Sequence, residues 1–356
     1  MIPCGRHKLD MEDVAAVTEV VSGPWLTSGV KVAAFEKALA DYCGVKHAVA
    51  VNSGTAALHC AYYAAGVGEG DEVLVPAITF AATANATLFC GGTPFFADID
   101  PDTLLVDPVS VEKRITEKTK AVVAVDYAGQ PCDYDELRKI ADGNGSVLIA
   151  DACHSLGATY KGRNVGSLAD MTVFSFHPSK AITTGEGGAL LTDNAAYADA
   201  ARRLRNHGRS GYGMVDLGWN YRMTDISAAL GLSQLKKLDA FIARRNEVAG
   251  IYDNQLWYAN PLLTKEDRTN AYHLYVLRVD DRDNVVAKLR MMGVEAMVHY
   301  AAVYQHPFYR SLGLYRDGMC PNAERLSRDV VSIPIFAGID PEDVNTVCQS
   351  VARALS

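Results

Sequence analysis

The chain has 356 residues, enough for one large domain and a smaller one, since a single core rarely grows past ~250–300 residues. Hydrophobic residues make up 49% and charged residues 21%, which excludes a disordered or fibrous chain. The formal charge of -8 argues against a nucleic-acid surface, and the Arg202-Arg203 and Arg244-Arg245 pairs read as solvated helix faces.

The first residues, Met1-Ile-Pro-Cys-Gly-Arg, lack the charged start and apolar core of a signal peptide, and no apolar stretch reaches bilayer length. No membrane contact is therefore expected, and a cytoplasmic location is. Eight cysteines are scattered without a C-x-x-C pair or a metal-ligand spacing, so they are expected to be reduced and structural, with no metal site.

Between residues 47 and 192, short apolar runs alternate with helical patterns: HAVAV (47–51), DEVLVP (71–76), TPFFAD (93–98), KAVVAV (120–125), SVLIAD (146–151), MTVFSF (171–176) and GALLT (188–192). Continuous Val/Ile/Leu/Phe runs of that length suit strands covered on both faces, which predicts an α/β fold around a mostly parallel seven-stranded sheet. A helix is expected over 194–206, and a single long helix over 226–256 that bridges two domains. Beyond it come a strand (271–279), a helix ending in glycine (284–293), a strand (295–300) and a C-terminal helix with Asp340 as N-cap. These assign residues 1–240 to a large domain and 241–356 to a smaller α+β domain.

Three places carry chemistry. After the first strand, Ser53-Gly54-Thr55 opens an Ala-rich helix; such a turn offers backbone N–H groups and a positive helix end to a phosphate, although Ser53 could simply cap the helix. Asp151 ends an apolar strand, where parallel sheets present ligand-binding groups, and a carboxylate there could pair with a pyridinium nitrogen or merely start the next turn. His154, three residues on, could support the same ring or be a satisfied structural histidine. The sharpest signal is Ser175-Phe-His-Pro-Ser-Lys180. A lysine in a Gly/Thr-rich turn just after a buried strand is poorly placed as a solubilising charge, and burial lowers its pKa toward that of a nucleophilic amine.

In GPWLTSG (23–29), NSGTAAL (52–58), VPAITFAATANA (75–86), DACHSLGATYKG (151–162), SFHPSKAITTGEGG (175–188), NYRMTDISAALGLSQLKKLD (220–239) and VHYAAVYQHPFYR (298–310), the chain resembles the DegT/DnrJ/EryC1/StrS sugar aminotransferases, which are fold-type I pyridoxal-phosphate enzymes. The resemblance runs nearly end to end. It implies that Lys180 holds pyridoxal 5'-phosphate as a Schiff base and that Asp151 faces the pyridine nitrogen. Thr55, Ala56 and Ser175 would bind the phosphate, with Ser53, Gly54 and His177 in the same cofactor site. Phe80 would stack on the ring and His154 would contact its hydroxyl side. Asn220 would reach the phosphate of a neighbouring subunit, so the family pattern implies a homodimer with shared active sites.

Together with DYAGQPCD (126–133) and AYHLYVLR (271–278), these segments are most similar to family members that move an amino group from L-glutamate to C4 of a UDP-linked 4-keto-6-deoxy-N-acetylhexosamine on a pseudaminic acid-type pathway. His299, Tyr300 and Tyr304 are candidate sugar or nucleotide contacts, or else ordinary aromatic core. The stretch RSGYGMV (209–215) is shorter than its counterpart in those members and borders the shared site in the family. A GDP-linked 4-keto sugar or a dTDP-linked 3-keto sugar therefore stands as an alternative acceptor. A related dehydratase carries histidine in place of the Schiff-base lysine, whereas Lys180 is present. A non-catalytic relative would be expected to have lost the constellation that this chain keeps.

Overall fold

The computed structural model describes residues 1–356. All seven apolar runs form strands of one sheet: β1 (His47–Val51), β2 (Glu72–Pro76), β3 (Thr93–Ala97), β4 (Thr119–Val125), β5 (Val147–Asp151), β6 (Met171–Ser175) and β7 (Gly188–Thr192). Their order across the sheet is β1-β7-β6-β5-β4-β2-β3. Only β7 is reversed, pairing antiparallel with both β1 and β6. The sheet is covered on both faces, so the strand interiors are buried and need no alternating polar face.

This topology brings one edge together. The carboxyl ends of β1, β2, β4, β5 and β6 meet the amino end of β7, so that Gly188 stands opposite Val51 on one side and Ser175 on the other, and Val125 stands opposite Asp151. A β-carbon at residue 188 would fall 2.4 Å from the Ser53 carbonyl oxygen and 2.7 Å from the Gly54 nitrogen. Both are backbone atoms that cannot swing aside. Glycine at 188 is what lets the turn after β1 fold across the sheet edge.

Helices α1 (Met11–Val21), α2 (Val30–Cys43), α3 (Gly54–Ala64), α4 (Ala81–Phe89), α5 (Pro108–Arg114), α6 (Tyr134–Asn144) and α7 (Ala195–Leu204) surround the sheet or connect its strands. The long helix expected over 226–256 is instead two, α8 (Asp225–Leu235) and α9 (Leu238–Gln255). Polar groups at the break are drawn to α1. Gln234 donates to Asp13 Oδ2 at 2.9 Å and to the Lys8 carbonyl, and Lys237 Nζ pairs with the same Asp13 oxygen at 3.0 Å. Asp13 is buried and engaged in a capping box with Asp10, so it holds these partners in place where α8 ends and α9 begins.

A second hydrophobic cluster gathers around α9, β8 (Tyr275–Arg278), α10 (Arg282–Met291), β9 (Val330–Ile333) and the C-terminal helix. The N-terminal residue Ile2 belongs to this cluster, whereas the short helices α11 (Pro307–Ser311) and α12 (Pro321–Asp329) bury Tyr309, Ala323 and Leu326 against the larger one. The strand expected over 271–279 is confined to β8, because Tyr272 adopts a left-handed backbone, φ 45°. Residues 295–300 form no strand. Only Met297 bridges to Ser332, and the chain then turns into the sheet edge. The C-terminal helix α13 (Pro341–Leu355) has Asp340 at its N-cap position, but the Asp340 side chain accepts no capping bond; Pro341 at the first helical position sets the start.

Arg245 departs most from expectation. It is 2% exposed, not a solvated helix face: its Nη1 donates to the Tyr272 and Ile335 carbonyls at 3.0 Å each. No helix is long and apolar enough to cross a membrane. The eight cysteines are free, and six of them are buried.

Gly231 tests the packing at the α2–α8 contact, with Gly250 as an unpacked control. At Gly231 a β-carbon would lie 2.7 Å from Phe35 Cζ and 2.9 Å from Thr184 Cγ2, while at Gly250 in α9 it would meet nothing within 4 Å. Alanine gains up to about 1 kcal/mol of helix propensity at either place, but overpacking costs about 1–3 kcal/mol. Gly231→Ala is therefore expected to lower the urea midpoint and Gly250→Ala to raise it. Equal shifts in the same direction would show that Phe35 yields freely.

Candidate active site

The converging strand ends enclose a cavity of about 560 Å3. Its first wall is the amino end of α3. Ser53 is the N-cap, and its Oγ accepts from the Ala56 N–H at 3.1 Å, so the capping role weighed for this serine is realised. The Ala56 N–H is thereby occupied, and Ala56 does not line the cavity. The N–H groups of Gly54 and Thr55 make no hydrogen bond within the chain and stand at the positive helix end. A β-carbon on Gly54 would press within 2.9 Å of Ser175 Cβ, so glycine there lets Ser175 approach the same helix end.

The floor is Asp151, 6% exposed at the end of β5. Thr83 Oγ1 donates to its Oδ2 at 2.7 Å and the Cys153 N–H to its Oδ1 at 3.3 Å. Thr83 in turn contacts Thr79 at 2.7 Å, which links the floor to the segment carrying Phe80. A buried carboxylate held this way keeps a fixed direction and lone pairs available for a cationic N–H.

Lys180 stands on the loop between β6 and β7. The loop is tied to its own base, with Lys180 N donating to the His177 carbonyl, Thr184 N to the Phe176 carbonyl and Phe176 N to the Gly187 carbonyl. No carboxylate forms an ion pair with the Lys180 amine; its side-chain contact is His273 Nε2 at 3.4 Å. Burial holds the ammonium below the usual lysine range, the Arg245 guanidinium adds to this, and Cys153 and Asp151 oppose it. Arg245 Nη2 also reaches the Lys180 carbonyl at 3.5 Å, joining the loop to α9. His154 and His273 are both buried, with ring centroids 4.2 Å apart. Burial first, then the neighbouring Lys180, pushes both far below the usual histidine range, so both are neutral.

At the mouth stand Phe80, 59% exposed, and Tyr300, with ring centroids 6.1 Å apart; His299 and the exposed His177 line the same opening. The His154 Nε2 lies 3.4 Å from the Tyr300 hydroxyl. His299 is pushed down to about 4 by burial and by Lys180. Tyr304 is not brought to the cavity. It is 1% exposed, packed on Phe96 and bonded to Glu324 and the Cys320 N–H, which makes it core. Asn220 is exposed and does not line the cavity. His273 and Arg245 escaped sequence reasoning, although His273 lies inside the AYHLYVLR segment.

Free N–H groups at a helix end suit a phosphate, a buried carboxylate suits a pyridinium N–H, a lysine amine of lowered pKa suits an aldehyde, and an exposed phenyl face suits a flat ring. The residues present therefore fit pyridoxal phosphate. No group of three His, Cys, Asp or Glu side chains is placed to hold a metal ion.

Residues 7–352 match the DegT/DnrJ/EryC1/StrS aminotransferase family, and the chain belongs to it. It is 38% identical to GDP-perosamine synthase of Caulobacter vibrioides over 367 residues, 99% of this chain and 98% of that one. Its structure matches Helicobacter pylori PseC, an aminotransferase involved in the biosynthesis of pseudoaminic acid, with a TM-score of 0.94 and 34% identity over 99% of both chains. It also matches the PMP form of Spr1654 from Streptococcus pneumoniae, with a TM-score of 0.95 and 30% identity, again over 99% of both. The protein is a sugar aminotransferase, and its cofactor is pyridoxal phosphate.

The floor can be tested without turnover. Thr83→Val keeps the side-chain shape and removes the donor to Asp151 Oδ2. Leaving a buried carboxylate oxygen without that bond is expected to cost about 1–3 kcal/mol in urea unfolding of the cofactor-free chain. An unchanged midpoint would show that the carboxylate is satisfied by other means.

Proposed function

We propose that the protein moves an amino group from L-glutamate to C4 of a UDP-linked 4-keto-6-deoxy-N-acetylhexosamine, with Lys180 as the residue that both holds the cofactor and moves the proton. The observation that carries this reading is the placement of Lys180, Asp151 and the free N–H groups of Gly54 and Thr55 around one cavity. The 34% identity to PseC over nearly the whole chain supports the 4-amino sugar of the pseudaminic acid type.

When bound, pyridoxal phosphate supplies an electron sink for the charge left as a proton leaves the carbon that bears the amino group. The chain's part is to hold, orient and move protons. Gly54, Thr55 and Ser175 would fix the phosphate, with Ser53 holding the helix end in shape through its cap. Asp151 would accept from the ring nitrogen and keep it protonated, Phe80 would stack on the ring and His154 would contact its hydroxyl side. Lys180, its pKa lowered by burial, is neutral in a larger fraction of molecules than an exposed lysine and can take and return a proton as general base and acid. His299 and Tyr300, at the mouth, are the proposed sugar contacts, with His177 near the opening.

The working unit is proposed to be a homodimer. Asn220 lies outside its own cavity, and Trp25, Leu26, Tyr212 and Leu217 are exposed apolar side chains that a second subunit would cover. Asn220 would then reach the partner's phosphate site. Eight free thiols suit the reducing cytoplasm, where we place the protein.

A second reading, transfer to a GDP-linked 4-keto sugar, is favoured by the 38% identity to GDP-perosamine synthase. Purified protein supplied with L-glutamate and either a UDP- or a GDP-linked 4-keto-6-deoxy sugar is expected to release 2-oxoglutarate with at least ~10-fold higher kcat/KM for the UDP acceptor. The reverse preference would replace the first reading with the second. Lys180→Ala is expected to lose the near-visible absorption of the bound cofactor and to slow turnover by more than ~10³-fold. Normal absorption and turnover in that variant would remove Lys180 from the mechanism.

A further inference from the structure

His273 provides the only side-chain hydrogen-bond contact of the Lys180 amine, Nε2 to Nζ at 3.4 Å. The backbone is bent to deliver it. Tyr272 adopts φ 45°, a conformation that is costly for a bulky residue, and two side chains hold it there: Asn270 Oδ1 accepts from Tyr272 N at 2.8 Å, and Arg245 donates to the Tyr272 carbonyl at 3.0 Å. On either side, Ala271 N donates to the Gly129 carbonyl and Leu274 N to the Ala128 carbonyl. Gly129, at φ 109°, permits the approach; a β-carbon there would lie 2.7 Å from Tyr272 N and 2.9 Å from His273 N. Arg245 on α9, the 128–129 turn and the segment's own Asn270 thus fix one imidazole against one amine.

Packing alone does not explain a histidine here. Its Nδ1 is buried with no partner, an expense that a phenyl ring of similar size would avoid. The groups that face it are Lys180, His154, Arg245 and His299, and none is a carboxylate that would draw a proton onto it. A neutral imidazole beside an ammonium offers a lone pair, with its own proton on the far nitrogen.

We propose that His273 is a positioning residue for the amine transfer: its Nε2 accepts a hydrogen bond from Lys180 whenever that amine is free, fixing the direction in which Lys180 takes and returns the substrate proton. The proposal rests on the role given to Lys180 above. It assigns to Arg245 and the strained Tyr272 the task of holding His273 in register with the loop that carries the lysine.

The test reads Lys180 directly. The full-length chain, freed of cofactor, is labelled with trace acetic anhydride at graded pH, and the Lys180 peptide is quantified by mass spectrometry to give the titration of its amine. Because an acceptor stabilises the ammonium, His273→Phe is expected to lower the Lys180 midpoint by about one pH unit, and His273→Gln, which keeps an acceptor, to restore most of it. In the loaded enzyme, His273→Phe should reduce kcat for the glutamate half-reaction ~10–100-fold with KM changed less than ~2-fold, and His273→Gln should recover most of that loss. An unchanged Lys180 titration in His273→Phe, or a His273→Gln variant as impaired as His273→Phe, overturns the proposal. Should the phenylalanine variant not fold, His273→Ala with added imidazole takes its place: recovery of the midpoint supports the role, and no recovery overturns it. Failure of the Lys180 assignment itself would show separately, as normal near-visible absorption and turnover in Lys180→Ala.

Discussion

The Lys180 amine faces the cavity without an ion-pair partner, and burial of that one charge sets conditions that the surrounding elements meet. The loop between β6 and β7 that carries it is closed on itself and pinned to α9 through Arg245. A contacting carboxylate would raise the Lys180 pKa, and the side chain in contact with the amine is the neutral His273 instead. Asp151 acts on Lys180 only as an opposing field while its oxygens are engaged by Thr83 and the Cys153 N–H. The result is a cavity whose acid and base functions are separated by environment rather than by residue type.

Arg245 is the costlier half of the arrangement. A buried guanidinium without a carboxylate is stabilised only by carbonyl oxygens, and burial holds it down to about 10. Its Nη atoms contact carbonyls at residues 180, 272 and 335, so it ties the lysine loop to the turn carrying His273 and to the second hydrophobic cluster. The positive field it adds works in the same direction as burial on both Lys180 and His273. Stability and chemistry thus draw on the same side chain, which gives a physical reason for an arginine where an apolar residue would fit the core more cheaply.

The sheet edge explains why so many short motifs meet. Parallel strands put their carboxyl ends on one side, and the single reversed strand β7 adds its amino end to that side, so a turn after β1, a floor at β5 and a loop after β6 become neighbours though more than a hundred residues separate the first from the last. Gly188 and Gly54 are the contact points, each at a place where a β-carbon would collide with backbone or with Ser175. Chemistry in this fold depends on how closely three backbone segments can approach as much as on which side chains they carry.

Local sequence by itself determined the seven strands, because continuous apolar runs covered on both faces leave little alternative, and it marked Lys180, Asp151 and the Ser53-Gly54-Thr55 turn, because each breaks the pattern of the strand it follows. Resemblance supplied the family and the cofactor. Tertiary structure decided what local pattern could not express: the break at Lys237, forced by a buried Asp13 on a distant helix; the burial of Arg245, which looked like one of a solvated pair; the retreat of Tyr304 into the core; and the loss of a strand at 295–300, where the chain makes one bridge before turning to the cavity. His273 is the clearest case. Nothing in the periodicity around it distinguishes it from a strand residue, and only the positive φ of Tyr272, imposed by Asn270, Arg245 and the gap left by Gly129, turns its ring toward Lys180.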